Sequence, residues 1–275
     1  MPTTIPTVTS STRPGSPSAG DAYFETDTKS YIIYDGANWR AYVSDGLSGW
    51  SGSNTYSLNF DGTDDRLDAS SVVTPSATSG TISAWIKTTS TAYQAIVSTA
   101  DTSKVDTWGW MAVFNNKLRI TFRESGGTVK IADGSTTIND GTWHHVVAVS
   151  SGTAYSLYVD GSAETLTNSN NDGTWFGDLT SLTSTNIGSH VRSSVGNFFT
   201  GNIDEVAVWD SDQSSNISTI YNSGTPGNLL PLNPKVWWRM GDGVEANSGT
   251  TIYDMSNFSN DMTMVSSPAY QSDTP

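Results

Sequence analysis

Acidic side chains gather at three places in the sequence where their oxygen atoms could bind a divalent cation. Asp61 and Asp64 lie in the segment FDGTDD, Asp204 begins a strand-like run, and Asp254 opens the segment DMSNFSND. Carboxylate and carbonyl oxygens are the ligands that Ca²⁺ prefers. These four residues are therefore candidate calcium ligands. The alternative for Asp204 is that its carboxylate accepts hydrogen bonds from backbone amides at a strand end.

A second acidic stretch, NSNNDGTWFGDL, places Asn168, Asn170, Asp172 and Gly173 at the ligand offsets of an EF-hand loop. Leu179 stands where that loop requires a bidentate Glu. The stretch is therefore predicted to be an Asn-rich turn.

Aromatic residues in turn-rich stretches are candidates for binding a sugar. Trp108 and Trp110 lie in DTWGWM, and Trp175 and Phe176 lie in DGTWFGD, in a chain with ten tryptophans. An exposed ring can stack on a pyranose face, and Asp172 could bind the hydroxyl groups. The alternative is that these rings serve packing or subunit contacts, because exposed aromatic residues also mark protein interfaces.

The composition excludes several classes of partner. With 13 Lys and Arg against 27 Asp and Glu, the net charge of the 275 residues is -14, which disfavours nucleic acid and anionic membrane surfaces. The absence of cysteine excludes disulfides and thiolate zinc sites. No apolar run reaches about eighteen residues, and the first eight residues lack the pattern of a signal peptide. We expect neither a membrane span nor export by a signal peptide.

Turn and strand patterns predict an all-β protein. Asp-Gly pairs recur between β-rich runs, which is the signal of hairpins in an antiparallel sandwich. The run LRITFRE puts Leu118, Ile120 and Phe122 on one face and Arg119 and Arg123 on the other. Only SSNISTIYNSG is predicted to be helical, and only for one or two turns.

The chain divides into four predicted segments. Residues 1–20 are rich in Pro, Ser, Thr and Gly and are predicted to form an extended arm. Residues 21–46 are predicted to form a small three-stranded meander, with turns at 27–30 and 35–38, which is marginal alone and should pack on the larger domain, on a copy of itself or on another protein. Residues 47–55 are a predicted linker, and residues 56–275 form the main domain.

The main domain resembles laminin-G-like, concanavalin-A-like jelly-roll domains. The resemblance rests on YSLNFDGTDDRLD, TISAWIKT, GTWHHVVAVSSGTAYSLYVDG, NIGS and FFTGNIDEVAVWDSDQSSNISTIYNSGTP, which follow one another in the family's order. It implies an antiparallel jelly-roll sandwich. It also implies one structural Ca²⁺ where the first and last strands meet, with Asp204 as a ligand.

The end of the chain departs from the usual order of such domains. A strand similar to VWWRMGDG, followed by a loop similar to DMSNFSND, usually precedes the Phe-Asp-Gly strand, whereas here both follow it. The domain is therefore predicted to be circularly permuted, with residues 236–275 pairing inside the same sandwich. The alternative is that they begin a truncated second copy.

The N-terminal stretch SPSAGDAYFETDTKSYIIYDGANW is similar to a short module of phage structural proteins. This resemblance implies a virion surface protein, either a capsid decoration or a fibre component, made in the host bacterial cytoplasm. Its partners would be other virion proteins and further copies of itself, and its jelly roll is a candidate for binding a host or environmental glycan. The alternatives are a structural cement protein without glycan binding and a bacterial cell-surface carbohydrate-binding module.

Catalysis is not expected. Relatives of this fold that cleave glycans place Glu, Asp and Glu at alternate positions of one strand, because the acid and the nucleophile must face one groove. The nearest match, Asp204-Glu205, is adjacent, so strand alternation predicts that the two carboxylates point to opposite faces. The same reasoning removes His144 and His145 as a joint metal pair. We therefore predict a binding protein and not an enzyme.

Overall fold

The computed structural model describes residues 6–25, 30–34, 36, 39–43, 54–69, 72–73, 76–243, 247–256 and 260–275. These residues fall into two compact units. One comprises the described part of Met1–Ser53 together with Asn228–Leu232, and the other comprises Asn54–Gly227 and Asn233–Pro275. Most of the predicted linker, residues 47–55, and most of each predicted turn of the meander lie outside the described residues.

The N-terminal unit contains a small four-stranded sheet. Its strands are β1 (Thr7–Val8), β2 (Ala22–Glu25), β3 (Ser30–Tyr34) and β4 (Trp39–Val43), in that spatial order. The three predicted strands are therefore confirmed. The predicted arm also contributes β1, which pairs in parallel with β2. In β3, Ile32 is fully buried whereas Ile33 is exposed, as expected for successive residues of a strand.

The second unit is a sandwich of two large antiparallel sheets, which confirms the predicted all-β jelly-roll class. In chain order its strands are β5 (Ser57–Asp61), β6 (Arg66–Ala69), β7 (Gly80–Lys87), β8 (Gln94–Ala100), β9 (Trp108–Phe114), β10 (Lys117–Arg123), β11 (Lys130–Asp133), β12 (Trp143–Ser150), β13 (Tyr155–Val159), β14 (Ser162–Ala163), β15 (Asn168–Asn170), β16 (Ser184–Ile187), β17 (His190–Val191), β18 (Val195–Gly196), β19 (Thr200–Trp209), β20 (Val236–Trp238), β21 (Thr251–Ile252), β22 (Met262–Val265) and β23 (Ala269–Gln271).

The nine-stranded sheet has the order β15-β11-β10-β9-β8-β16-β6-β22-β21, and the eight-stranded sheet has the order β14-β13-β12-β7-β19-β5-β23 with β20 also paired to β19. The hairpin of β17 and β18 is separate. A short helix, α1 (Ile217–Tyr221), lies between two 3₁₀ turns, Ser214–Asn216 and Asn222–Gly224, as the sequence predicts. The remaining 3₁₀ turns are Ser10–Thr12, Phe176–Asp178 and Leu230–Leu232. No helix in the described ranges is long and apolar enough to cross a bilayer.

The last forty residues pair within the sandwich, as the permuted arrangement predicts. Strand β20 pairs with β19, β22 pairs with β6, and β23 pairs with β5. All three residues of β20 are buried, and Val236 and Trp238 belong to the main hydrophobic core. The segment therefore completes both sheets.

The core between the sheets is built from alternate residues of each strand. Leu118, Ile120 and Phe122 of β10 face it, together with Met111 and Val113 of β9. Because successive side chains of a strand point to opposite faces, the intervening residues of β9 and β10 lie on the face of the nine-stranded sheet that is directed away from the core. We refer to this face as the outer face.

Candidate functional site

Four aromatic side chains pack together on the outer face of the nine-stranded sheet. The ring centroids of Trp110 and His190 are 4.1 Å apart, and those of Trp110 and Tyr93 are 4.6 Å apart. Trp108 lies 6.0 Å from Trp110 and 5.8 Å from His190. We call Tyr93, Trp108, Trp110 and His190 the outer aromatic cluster. Strands β8 and β9 and the hairpin β17–β18 position it.

The outer aromatic cluster contains polar atoms without partners. Trp108 Nε1, Trp110 Nε1 and His190 Nε2 are buried and have no hydrogen-bond partner among the described residues. Trp108 is 8 % exposed, Trp110 4 % and His190 2 %. A buried polar atom without a partner typically costs about 1–3 kcal/mol, so three in one cluster require a partner such as an ordered water molecule or a ligand. Burial lowers the pKa of His190 to about 3, with Arg192 adding to the shift.

One side of the outer aromatic cluster is fixed by an ion pair. Arg119 donates hydrogen bonds of 2.6 and 2.7 Å to both carboxylate oxygens of Asp133, and its guanidinium lies 3.5 Å from the centroid of the Phe114 ring. Burial raises the pKa of Tyr93 to about 12, although Arg119 acts in the opposite direction. The phenol is therefore neutral and can donate a hydrogen bond at physiological pH.

The structure corrects the predicted environment of the aromatic residues. Trp108 and Trp110 belong to strand β9 and are buried, whereas the sequence predicts that they lie in a turn-rich stretch. The run WGWMAVF contains the missed signal, because Trp108, Trp110 and Ala112 alternate with Gly109 and core residues. Sequence reasoning also missed Tyr93 and His190, which only the packing of β8 and the β17–β18 hairpin brings to this face.

Trp175 and Phe176 are core residues, so the prediction that their rings stack on a sugar is wrong. They are 0 % and 1 % exposed and pack on Phe122 between the sheets. The backbone amide of Trp175 donates a 2.8 Å hydrogen bond to Asp178, and the 3₁₀ turn that follows directs both rings inward. They lie on the opposite face of the nine-stranded sheet from Trp108 and Trp110.

Asp172 is exposed but engaged in local contacts. Its carboxylate forms an ion pair with Lys130 and accepts hydrogen bonds from the amide and hydroxyl of Thr174. Although partial burial raises the pKa of Asp172, the hydrogen bonds from Lys130 and Thr174 bring it below its usual value. These contacts stabilise the turn that precedes Trp175.

The four predicted calcium ligands lie in three places. Asp61 and Asp64 share an exposed turn with Asp65, whose carboxylate oxygens lie within 4.8 Å of theirs. Asp254 accepts hydrogen bonds from the amides of Trp237, Ser256 and Asn260. Asp204 is fully buried in β19. No single site therefore contains all four residues.

A β-bulge in β19 places Asp204 and Glu205 on one side of the eight-stranded sheet, which corrects the prediction that they point to opposite faces. Glu205 has a φ of +47°, and the pairing register with β7 shifts between Asp204 and Ala207. A bulge inserts an extra residue and breaks the alternation of side chains. Glu205 then accepts hydrogen bonds from Trp237 Nε1 at 2.5 Å and Arg239 Nε at 2.9 Å.

The surroundings of Asp204 suit a divalent cation. Burial raises the pKa of Asp204 well above its ordinary value, and the charges of Glu205 and Asp242 add to the shift. The Nδ2 atom of Asn54 donates a 2.9 Å hydrogen bond to Asp204, whereas Asn54 Oδ1 is buried without a partner among the described residues. The other oxygen of Asp204 accepts a 2.8 Å hydrogen bond from the backbone amide of Glu205, as the alternative to a calcium ligand expects, and carboxylate oxygens of this kind are also ligands that Ca²⁺ prefers.

His144 and His145 face opposite sides of β12, as strand alternation predicts. His144 lies between Asp160 and Asp140, and the hydrogen bond to Asp160 raises its pKa. His145 is buried against Trp85, and burial lowers its pKa to about 3. Each imidazole therefore has a separate structural environment, and the two do not meet at one site.

The fold of the second unit is a lectin-like β-sandwich. Residues 61–216 match the family described as the concanavalin A-like lectin/glucanases superfamily. This match covers more than half of the chain, and the chain belongs to that superfamily. No curated protein sequence matches the chain.

Several solved structures are similar to this chain, and one of them has a TM-score above 0.5. A candidate carbohydrate-binding protein from Bacteroides ovatus is similar over 93 % of this chain and 70 % of its own, with a TM-score of 0.58 and 15 % identity. The CBM40 module of a Ruminococcus gnavus IT-sialidase matches 61 % of this chain and 98 % of its own, with a TM-score of 0.49 and 16 % identity. A Limulus polyphemus SAP-like pentraxin matches 61 % of this chain and 82 % of its own, with a TM-score of 0.48 and 20 % identity.

Proposed function

We propose that this chain is a non-catalytic carbohydrate-binding protein whose ligand binds at the outer aromatic cluster. The observation that supports this function is the set of three buried polar atoms without partners among packed aromatic rings. Tyr93 is the partly exposed ring of the cluster and can pack on the C–H face of a sugar, whose hydroxyl groups can form hydrogen bonds at the edge of the cluster. Membership of a lectin-containing superfamily and the likeness to the Bacteroides ovatus protein agree with this proposal.

The test is binding of the full chain to a glycan array. We expect at least one class of glycan to bind, and Trp110→Ala to weaken that binding at least tenfold. Trp85→Ala is the matched control, because Trp85 is also 4 % exposed but belongs to the eight-stranded sheet. Thermal melts of both variants would verify that they are folded. Equal loss of binding in the two variants, or no binding by the wild type, would contradict the proposal.

We propose further that the protein works on the surface of a phage particle, with other virion proteins and further copies of the chain as partners. The support is the similarity of the N-terminal stretch to a module of phage structural proteins. We expect mass spectrometry to detect the chain in purified virions, and a variant lacking residues 1–46 to fold but not to enter particles. Detection only on bacterial surfaces would favour the alternative, a bacterial carbohydrate-binding module.

A structural Ca²⁺ is the third part of the proposal. Asp204 and Asn54 would supply side-chain ligands, and the ion would replace the unfavourable burial of an unpaired carboxylate with charge pairing. The buried and unpartnered Asn54 Oδ1 supports this assignment. The ion would hold the start of the sandwich domain against the middle of β19, as a stabilising element without a role in chemistry.

A further inference from the structure

We infer that the glycan bound at the outer aromatic cluster carries a carboxylate or sulfate group, which Arg123 and Arg192 recognise. This inference rests on the proposed glycan-binding function and adds the chemical class of the ligand to it. It concerns two arginines that the proposed function does not otherwise use.

Both arginines adjoin Trp108. Arg123 of β10 is the direct cross-strand partner of Trp108 in β9, so the two side chains share the outer face. Arg192 follows β17, and its guanidinium carbon lies 6.0 Å from the centroid of the Trp108 ring. Trp108 therefore lies beside two positive charges, in a chain whose net charge is -14.

Neither arginine has a carboxylate partner within ion-pair distance in the described part of the chain. Arg192 Nη1 donates a 2.9 Å hydrogen bond to the carbonyl oxygen of Val105, which fixes the side chain and leaves its remaining donors available. Arg123 Nε is buried and has no hydrogen-bond partner among the described residues. Guanidinium groups bind planar or tetrahedral anions through paired donors, so these groups suit an acidic substituent.

Three carboxylates that lie close to this face in sequence have other partners. Asp101 binds Lys104 and Ser103, and Asp106 accepts hydrogen bonds from Ser125 and Gly126. Asp133 is occupied by Arg119. We therefore infer that the negatively charged partner of the two arginines is an external anion.

Arg119 shows the contrasting arrangement on the same strand. Its guanidinium is held by both oxygens of Asp133 and by the Phe114 ring, so it fixes the cluster and is not available to a ligand. Arg66 is likewise paired with Asp68 on the same sheet, three strands from β9 and thus about 14 Å away. It provides a control that removes the same charge outside the site.

The experiment uses an array in which each neutral glycan is paired with its carboxylated and sulfated derivatives. We expect the bound glycans to be acidic, with at least tenfold weaker binding of each neutral counterpart, and the two derivative sets show which acid is preferred. Equal binding of neutral and acidic members would overturn the inference but leave the proposed function intact. Absence of binding to any glycan would overturn the proposed function.

Substitutions separate recognition by the arginines from general charge. Arg192→Gln and Arg123→Gln are each expected to weaken binding of the acidic glycan at least tenfold, whereas Arg66→Gln should change it less than twofold. Arg192→Lys should retain more affinity than Arg192→Gln, since it keeps the charge. Melting curves would identify any unfolded variant. If Arg192→Gln is unfolded, the glycan affinity of Arg192→Lys becomes the measurement that tests the inference. Equal effects of the Arg66 and Arg192 variants would refute the assignment.

Discussion

Two pairs of tryptophans in this sandwich differ in whether their indole N–H groups have acceptors. Trp237 Nε1 donates to Glu205 at 2.5 Å, and Trp238 Nε1 donates to the carbonyl oxygen of Asn260 at 2.8 Å. Trp108 Nε1 and Trp110 Nε1 have no partner among the described residues. Both indole N–H groups of the first pair are hydrogen-bonded, so a role in the stability of the fold is sufficient to explain these two residues. The second pair is left with hydrogen-bonding capacity that a ligand can use.

The contrast is sharpened by Trp175, whose Nε1 is also without a partner among the described residues. That indole lies in the core, where a Cβ on Gly80 would collide with it, and no neighbouring unpartnered atom accompanies it in the way that His190 accompanies Trp110. A single unpartnered indole is therefore a local defect. Two such indoles and an imidazole nitrogen lie together on one sheet face, beside arginines that have no carboxylate partner among the described residues, and this is the arrangement on which the proposed binding site rests.

The largest expected effect follows from removing the region that contains the satisfied pair. Deletion of residues 235–275 removes β20, β21, β22 and β23 and exposes the edges of β5 and β6. We expect loss of cooperative folding and insoluble protein, because unpaired strand edges and core residues become exposed. Soluble yield and a thermal melt are the measurements. A soluble truncation with a cooperative melt would show that these strands are dispensable.

Much of the fold could be predicted because it depends on local patterns. The alternation of apolar and polar residues in LRITFRE predicts which side chains of β10 face the core and which face outward. The order of the motifs along the chain predicts that the C-terminal strands pair inside the sandwich. The Glu205 bulge could not be predicted, because it arises where β19 changes its partner on one side from β5 to β20. The chain must there accommodate two neighbours, and no residue in the segment IDEVAVW marks the extra position.

The candidate site was predicted only in part, because its residues come from distant segments. Trp108 and Trp110 could be selected by residue type, whereas Tyr93 and His190 reach them only through sheet pairing and the β17–β18 hairpin. The calcium candidates show the same limit. Asp204 was identified, but Asn54 lies 150 positions away in sequence and has no recognisable motif.

Lowering the pH should change the stability of the fold in opposite directions through two histidines. These are His190 in the outer aromatic cluster and His144, which lies between two carboxylates. The pKa of His190 is lowered to about 3, so the unfolded chain binds a proton near pH 6.5 that the folded chain rejects. Its contribution to stability is therefore lost as the pH falls from about 6.5 towards 3. The pKa of His144 is raised, so its contribution is present at low pH and lost as the pH rises through the raised pKa.

We expect His190→Phe to flatten the decline of stability between pH 6.5 and 4.5, by at most about 1.4 kcal/mol for each pH unit. His144→Gln should steepen the decline. The measurement is urea unfolding of the wild type and both variants across this range. Burial also raises the pKa of Asp204 and Asp254, which stabilises the folded state in acid. The test is therefore the difference in stability between each variant and the wild type at the same pH.

Calcium provides a test of the region around β19. If Ca²⁺ binds only the folded state, a concentration of a hundred times its Kd stabilises that state by about 2.7 kcal/mol. We expect chelation to lower the Tm by about 5–10 °C, given roughly 2–4 °C for each kcal/mol in a domain of this size. Asp204→Asn should abolish the difference, whereas Asp61→Asn, in the exposed turn, should preserve it. Identical melts with and without chelator would leave Asp204 as a buried strand carboxylate only.

The smallest expected effect tests the comparison most directly. Trp→Phe removes the indole N–H and part of the ring, so Trp237→Phe and Trp108→Phe both lose packing. Only Trp237→Phe also leaves a buried acceptor, Glu205, without one of its donors, which costs about 1–3 kcal/mol more. We therefore expect urea unfolding to show the greater loss of stability for Trp237→Phe. Glycan binding should show the reverse, with Trp108→Phe weakened and Trp237→Phe unchanged. If Trp108→Phe lost as much stability as Trp237→Phe and bound glycan normally, its indole would be a structural group with an unseen partner, and the distinction between the two pairs would disappear.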